Sequence, residues 1–184
     1  MLKKLWDYVK KPVYTEYKNS PLWYKKKIFF SSLIWCLVIG VALVMLSGII
    51  THLFNIEVGE HALEELFSKS IWVVFLLVAI VAPVIEELLF RGPLILFKDS
   101  PHFKYAYYVS ALAFGAIHIS NFEDWRQILW LIPLLVAPQI FIGLFLGYIR
   151  VKLGLKWSML LHSAYNTALF LPMLFAQLLD IPLE

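Results

Sequence analysis

Apolar residues run through this chain in long blocks, separated by short charged segments. A helix needs about 20 apolar residues to cross the hydrocarbon core of a bilayer. Five segments approach or exceed that length: Ile28 to Leu53, Ser70 to about Phe97, Lys104 to Ser120, Ile128 to Ile149, and Trp157 to Leu179. The second is interrupted by the charged stretch Glu86–Arg91. Pro83, Pro93, Pro133 and Pro138 fall inside these blocks, and membrane helices tolerate proline when neighbours satisfy the freed carbonyls. The pattern predicts an all-α fold, a polytopic transmembrane bundle of about five spans. There is no internal repeat and no low-complexity linker. Residues 1–27 read as a basic, aromatic leader and residues 28–184 as the bundle.

Composition strengthens that reading. Of the 184 residues, 61% are hydrophobic and 16% charged, and the mean hydropathy is +0.76. A soluble domain is roughly half apolar and about a quarter charged. The length allows one domain, with no room for a soluble catalytic domain beside the spans. The lone cysteine, Cys36, sits in an apolar run and reads as a buried thiol, which excludes internal disulfides and a Cys-rich zinc site. A cleaved signal peptide is not expected: the polar leader is long, the first apolar block exceeds an h-region, and no A-x-A site follows.

Charge distribution adds an orientation. Lys3, Lys4, Lys10, Lys11, Lys18, Lys25, Lys26 and Lys27 precede the first span, opposed only by Asp7 and Glu16. The next loop holds Glu57, Glu60, Glu64 and Glu65 with Lys69. Lys98 and Lys104 follow, then Glu123 and Asp124 with Arg126. Arg150, Lys152 and Lys156 come next, and the tail ends in Asp180 and Glu184. Basic segments favour the cytoplasm. The alternation predicts the N-terminus inside and the C-terminus outside. Lysines in this arrangement serve topology, so no nucleic-acid partner is expected. The leader, with Trp6, Tyr8, Tyr14, Tyr17, Trp23 and Tyr24 among its lysines, suits the membrane interface; a mobile basic tail is the alternative.

Ionisable side chains within a span cost roughly 2.5–3.5 kcal/mol each on insertion scales, so they need a partner or a task. Glu87 and Arg91 are four apart and can pair on one helix face. Glu86 points about 100° away and has no cation at i+4. It is the freer carboxylate, suited to general-base work, although a structural ion cluster would also explain the group. His118 follows Phe114 by four, with Gly115 and Ala116 allowing close helix approach. The turn between the second and third spans centres near His102. Glu86 and His118 each lie sixteen residues from it, at equal depth roughly 20 Å from the turn. His162 and Asn166 share a face and can both donate to an oxyanion, or simply bridge helices. Gly143 and Gly147 form a G-x-x-x-G packing face.

E-E-x-x-x-R, then F-x-x-x-H, then H-x-x-x-N, on successive spans, resembles the CPBP family. That family groups type II CAAX prenyl proteases with bacterial proteins that include bacteriocin self-immunity proteins. The matching positions are Glu86, Glu87 and Arg91; Phe114 and His118; His162 and Asn166. They place the protease-like core at about residues 70–180. The resemblance implies intramembrane peptide-bond hydrolysis. Glu86 and His118 would activate water, His162 and Asn166 would stabilise the oxyanion, and Glu87, Arg91 and Phe114 would support them. A metal-independent glutamate mechanism is favoured. If a metal serves instead, zinc on Glu86, His118 and His162 is the candidate, although no H-E-x-x-H pair is present.

The leading expectation is therefore an intramembrane endopeptidase in a bacterial cell membrane. It would act on a membrane-associated peptide or protein near the cytoplasmic face, with a link to peptide processing or self-immunity. A catalytically silent immunity or regulatory binding protein is the alternative. A proton-coupled carrier is a weaker third, since the chain lacks the repeated halves of carriers. The sequence leaves the oligomeric state open.

Overall fold

The computed structural model describes all residues except 18, 57, 59–69, 123–124, 127 and 180–184, together with the side chain of Leu178. Most of the acidic loop after the first span, Glu123 and Asp124, the tail and Lys18 thus lie outside the described residues. The described residues form helices joined by short turns and an extended leader segment: α1 (Leu2–Lys10), α2 (Leu22–Leu53), α3 (Ile71–Phe97), α4 (Phe103–Ile117), the single turn α5 (Ile132–Leu135), α6 (Ala137–Leu153) and α7 (Leu155–Leu178).

α2 shows what solvent the fold expects. It buries Ile28, Ser32, Cys36 and Gly40, a stripe four residues apart, and its outer face exposes Ile34, Val38, Val41, Met45 and Ile49. A face that apolar would drive association in water; hydrocarbon covers it without cost. α2, α3 and α7 are each long and apolar enough to cross a membrane. The protein is an integral membrane protein.

The other two expected spans are shorter than their apolar blocks. α4 has 15 residues and α6 has 17, about 22 and 26 Å at 1.5 Å per residue. α4 stops at Ile117 because the chain tightens into a 3-10 turn over His118–Asn121, where the Ser120 hydroxyl takes the Ile117 carbonyl at 2.7 Å. The block that begins at Ile128 breaks at Val136, and α6 restarts with Pro138 in its first turn. A proline is tolerated there because its missing N–H would have had no partner. α7 begins two residues earlier than its apolar block. Gly154, at φ +102°, ends α6 and starts α7 in one residue, a conformation open chiefly to glycine.

The core is built around α6, which packs closely on α4, α2 and α7 and buries eleven of its residues. Its two glycines make the approach possible. A Cβ on Gly143 would lie 3.2 Å from the Ala111 backbone, and one on Gly147 would lie 2.8 Å from the Tyr107 ring. The G-x-x-x-G face thus serves packing within the bundle.

The leader is not a free tail. Leu5 and Tyr8 are buried, and Tyr8 packs edge-on against Tyr107 and Tyr148. The Tyr108 hydroxyl donates to the Val9 carbonyl at 2.5 Å, and the Tyr17 amide donates to Lys152 O at 2.9 Å. Tyr14 meets Phe103 edge-on. The leader, the α3–α4 turn and the α6–α7 turn therefore meet at one end, as the alternation of charge requires.

Gly143→Leu is expected to lower the detergent melting temperature sharply and reduce the yield of monodisperse protein, because overpacking against backbone has no flexible neighbour to yield. Gly48→Leu, where an added Cβ meets nothing within 4 Å, is the control and should leave melting unchanged.

Candidate active site

α3 carries the two glutamates, and its backbone is irregular just before them. Leu77–Val81 is π-helical, and the Ala82 amide donates to Leu77 O, five residues back. The next bond in that register would run from residue 83 to the Val78 carbonyl. Pro83 has no N–H to give. Asn166 on α7 fills the vacancy: its Nδ2 donates to Val78 O at 2.9 Å. Such one-turn bulges are rare and frequent at functional sites. After Phe90, Pro93 lies in the first turn of a 3-10 stretch, Gly92–Phe97.

Glu87 is the hub. Its side chain is wholly buried, with Oε1 3.3 Å from an Arg91 guanidinium nitrogen, the pairing that the i, i+4 spacing predicts. The same oxygen lies 3.3 Å from His162 Nδ1, and the Ser158 hydroxyl donates to Oε2. Ser158 Oγ also lies 2.9 Å from Leu146 O, tying the carboxylate to α6. Arg91 is as deeply buried. It donates to Gly143 O at 3.3 Å, and its guanidinium carbon sits 4.1 Å from the centre of the Phe114 ring. Four helices thus contribute to one buried ion pair, although Arg91 Nε has no hydrogen-bond partner among the described residues.

Glu86 is in a different position. Its side chain keeps 23% exposure, and its Oε2 lies 3.6 Å from His162 Nε2. Each ring nitrogen of His162 therefore faces a carboxylate oxygen. Phe114 packs edge-on against His162 on one side and His118 on the other, at centroid distances of 5.4 and 4.9 Å. His118 Nδ1 lies 2.7 Å from the Phe114 carbonyl. A carbonyl can only accept, so Nδ1 carries a proton.

The register of α3 against α4 differs from the equal-depth expectation for Glu86 and His118. Ser110 Oγ donates to Phe90 O at 2.8 Å. This centres the hairpin near residue 100 and sets Glu86 level with Phe114, with His118 one turn further along. The cause is the start of α4, which His102 caps, so that His102 belongs to the helix end and not to the middle of the turn. His118 leans back toward Phe114, as helical side chains do.

Glu86, Glu87, Arg91, Phe114 and His162 form one cluster, with His118 joined through Phe114 and Asn166 directed at the α3 backbone. Among the described residues, no three of His, Cys, Asp or Glu converge on a point that could hold a metal ion. Sequence reasoning missed Ser158 and Arg150. Ser158 stands one turn before His162, a signal that was present; Arg150 read only as a topology charge.

A carboxylate and an imidazole facing each other inside a membrane bundle are groups able to exchange a proton. A model of the type II CAAX prenyl endopeptidase Rce1-like family matches residues 68–168, more than half of the chain, and the chain belongs to that family. The match spans α3, α4, α6 and the part of α7 that carries His162 and Asn166. No curated protein and no solved structure matches the chain.

Replacing Asn166 by Leu should leave the Val78 carbonyl unpaired and cost about 1–3 kcal/mol, read as a loss of detergent stability. Pro83→Ala restores an N–H, so the double variant should lose less than the sum of the two singles. A double-mutant cycle in melting or denaturation checks that sign.

Proposed function

We propose that this chain is an intramembrane endopeptidase in which Glu86 is the general base. The asymmetry of the glutamate pair carries the reading. Both oxygens of Glu87 are occupied by Arg91, His162 and Ser158, whereas Glu86 stays partly open beside His162. A water about 2.8 Å from both Glu86 Oε2 and His162 Nε2 closes a reasonable triangle on that 3.6 Å edge. Glu86 takes the water proton as the oxygen attacks the scissile carbonyl carbon. The C–N bond then breaks, and the amine leaves with a proton. His118 Nε2 is a second proton acceptor.

Oxyanion stabilisation is assigned to the His162 ring and the Asn166 amide. One of the two Asn166 hydrogens serves Val78 O, which leaves the other for substrate. In this reading activation falls to glutamate without a metal, which the lack of a group of three His, Cys, Asp or Glu ligands among the described residues favours. The substrate is a membrane-associated peptide or protein segment reached from the end where the leader docks, the end that the basic residues place in the cytoplasm. In a bacterial membrane the biological setting is peptide processing or protection against a peptide.

The test compares new peptide termini in membranes of cells carrying wild type or Glu86→Gln at matched levels. Termini made by wild type should fall by 10²-fold or more in the variant, the range for loss of a general base, and should persist in excess EDTA. Loss of cleavage in EDTA would overturn the metal-free assignment. A Glu86→Gln protein that keeps both the termini and any peptide resistance would overturn the catalytic reading in favour of a binding protein.

A further inference from the structure

We propose that the leader is a working part of this site, with Tyr14 and Arg150 as positioning residues that act through Arg91. The inference rests on the catalytic reading of Glu86. Arg91 ends the α-helical part of α3, and its carbonyl is poorly served there. The Leu94 amide reaches Arg91 O only at 3.3 Å. Arg150 supplies a closer bond, with Nε donating to Arg91 O at 3.1 Å. Arg150 is itself buried, at 7% exposure, and its NH1 donates to the Tyr14 hydroxyl at 3.3 Å. That hydroxyl passes its own proton toward Glu16 Oε1 at 3.0 Å.

α6 therefore grips Arg91 at both ends. Gly143 O holds the guanidinium, and seven residues later, on the same face, Arg150 holds the backbone. The chain of contacts continues from Arg91 to Glu87, from Glu87 to His162, and from His162 to Glu86. The leader closes its outer end. The Tyr14 ring is wedged edge-on against Phe103, and the Tyr17 amide bonds Lys152 O, two residues beyond Arg150. Lys152 in turn lies over the Tyr8 and Tyr17 rings. A segment outside the family match thus sets the position of a buried cation inside it.

The experiment uses the full chain in detergent and in membranes, with wild type, Tyr14→Phe, Arg150→Lys and Glu86→Gln. Tyr14→Phe removes one hydroxyl and keeps the ring against Phe103, so it should fold even if Arg150→Lys does not. The first readout needs no substrate: hydrogen exchange of the amides over residues 91–98, which should run about tenfold faster in both positioning variants, since local opening sets that rate. Glu86→Gln should leave it unchanged. The second readout is the rate at which wild-type-dependent termini appear. It should fall about fivefold in Tyr14→Phe, the worth of a typical lost hydrogen bond, through turnover and without a change in half-saturating substrate. Wild-type exchange over residues 91–98 in Tyr14→Phe would overturn the link to the leader. Faster exchange with wild-type cleavage would overturn the positioning role. Full cleavage by Glu86→Gln would overturn the catalytic reading on which both depend, with the exchange result still deciding the link.

Discussion

The buried Glu87–Arg91 ion pair is the constraint around which the bundle is arranged. Two charges at this depth are costly to desolvate, and the cost is offset by the partners that surround them. Those partners come from elsewhere in the chain: Ser158 and His162 from α7, Gly143 from α6, the Phe114 ring from α4. Each such contact fixes a helix in rotation and in height. Apolar side chains sliding past one another in lipid would fix neither. The net stabilisation from such a pair is small or negative against an apolar substitute, so its value lies in register: it decides which residues of α7 face α3.

That register explains the division between the adjacent glutamates. Neighbours on a helix differ by about 100° in direction. One turns into the ion network and is fully occupied; the other lies at its edge with a single ring nitrogen nearby. Rotating α3 by one residue would exchange their roles and leave Arg91 without its carboxylate. The locked glutamate therefore aims the open one, and His162, touching both, carries the geometry of the first to the second.

Much of this was legible in the sequence, but unevenly. The pairing of Glu87 with Arg91 follows from spacing within one helix, and so did the clustering of residues on α3, α4 and α7 once they were recognised as a set. Local arithmetic failed where geometry depends on where a helix starts. His102 capping α4 moved the hairpin centre by two residues and set His118 a turn away from Glu86. The α6–α7 reversal at Gly154 has a physical signal, a glycine between two helical runs. Ser158 carried only its place one turn before His162, and Arg150 carried no signal, because their partners lie 71 and 59 residues away in sequence, and only the assembled bundle defines those contacts. Hydropathy could not separate α6, buried along most of its length, from α2, which shows lipid most of its surface. Both are simply apolar.

The irregular stretch of α3 has the same logic at the level of the backbone. Pro83 lies three residues before Glu86, and with no N–H it cannot serve the Val78 carbonyl in the register that the Ala82–Leu77 bond sets. In hydrocarbon an unpaired carbonyl is costly, so something must supply a proton, and Asn166 does. The side chain expected to face a substrate oxyanion is thereby tethered by one hydrogen to the helix that carries the base. An amide has two such hydrogens. Using one for the backbone fixes the plane of the group and hence the direction of the other, which is what a preorganised oxyanion donor requires. A side chain free to rotate would have to be ordered by the substrate at each turnover. In the proposed reaction the bond to the α3 backbone would order it in advance, so the proline that disturbs α3 would also help aim the residue opposite.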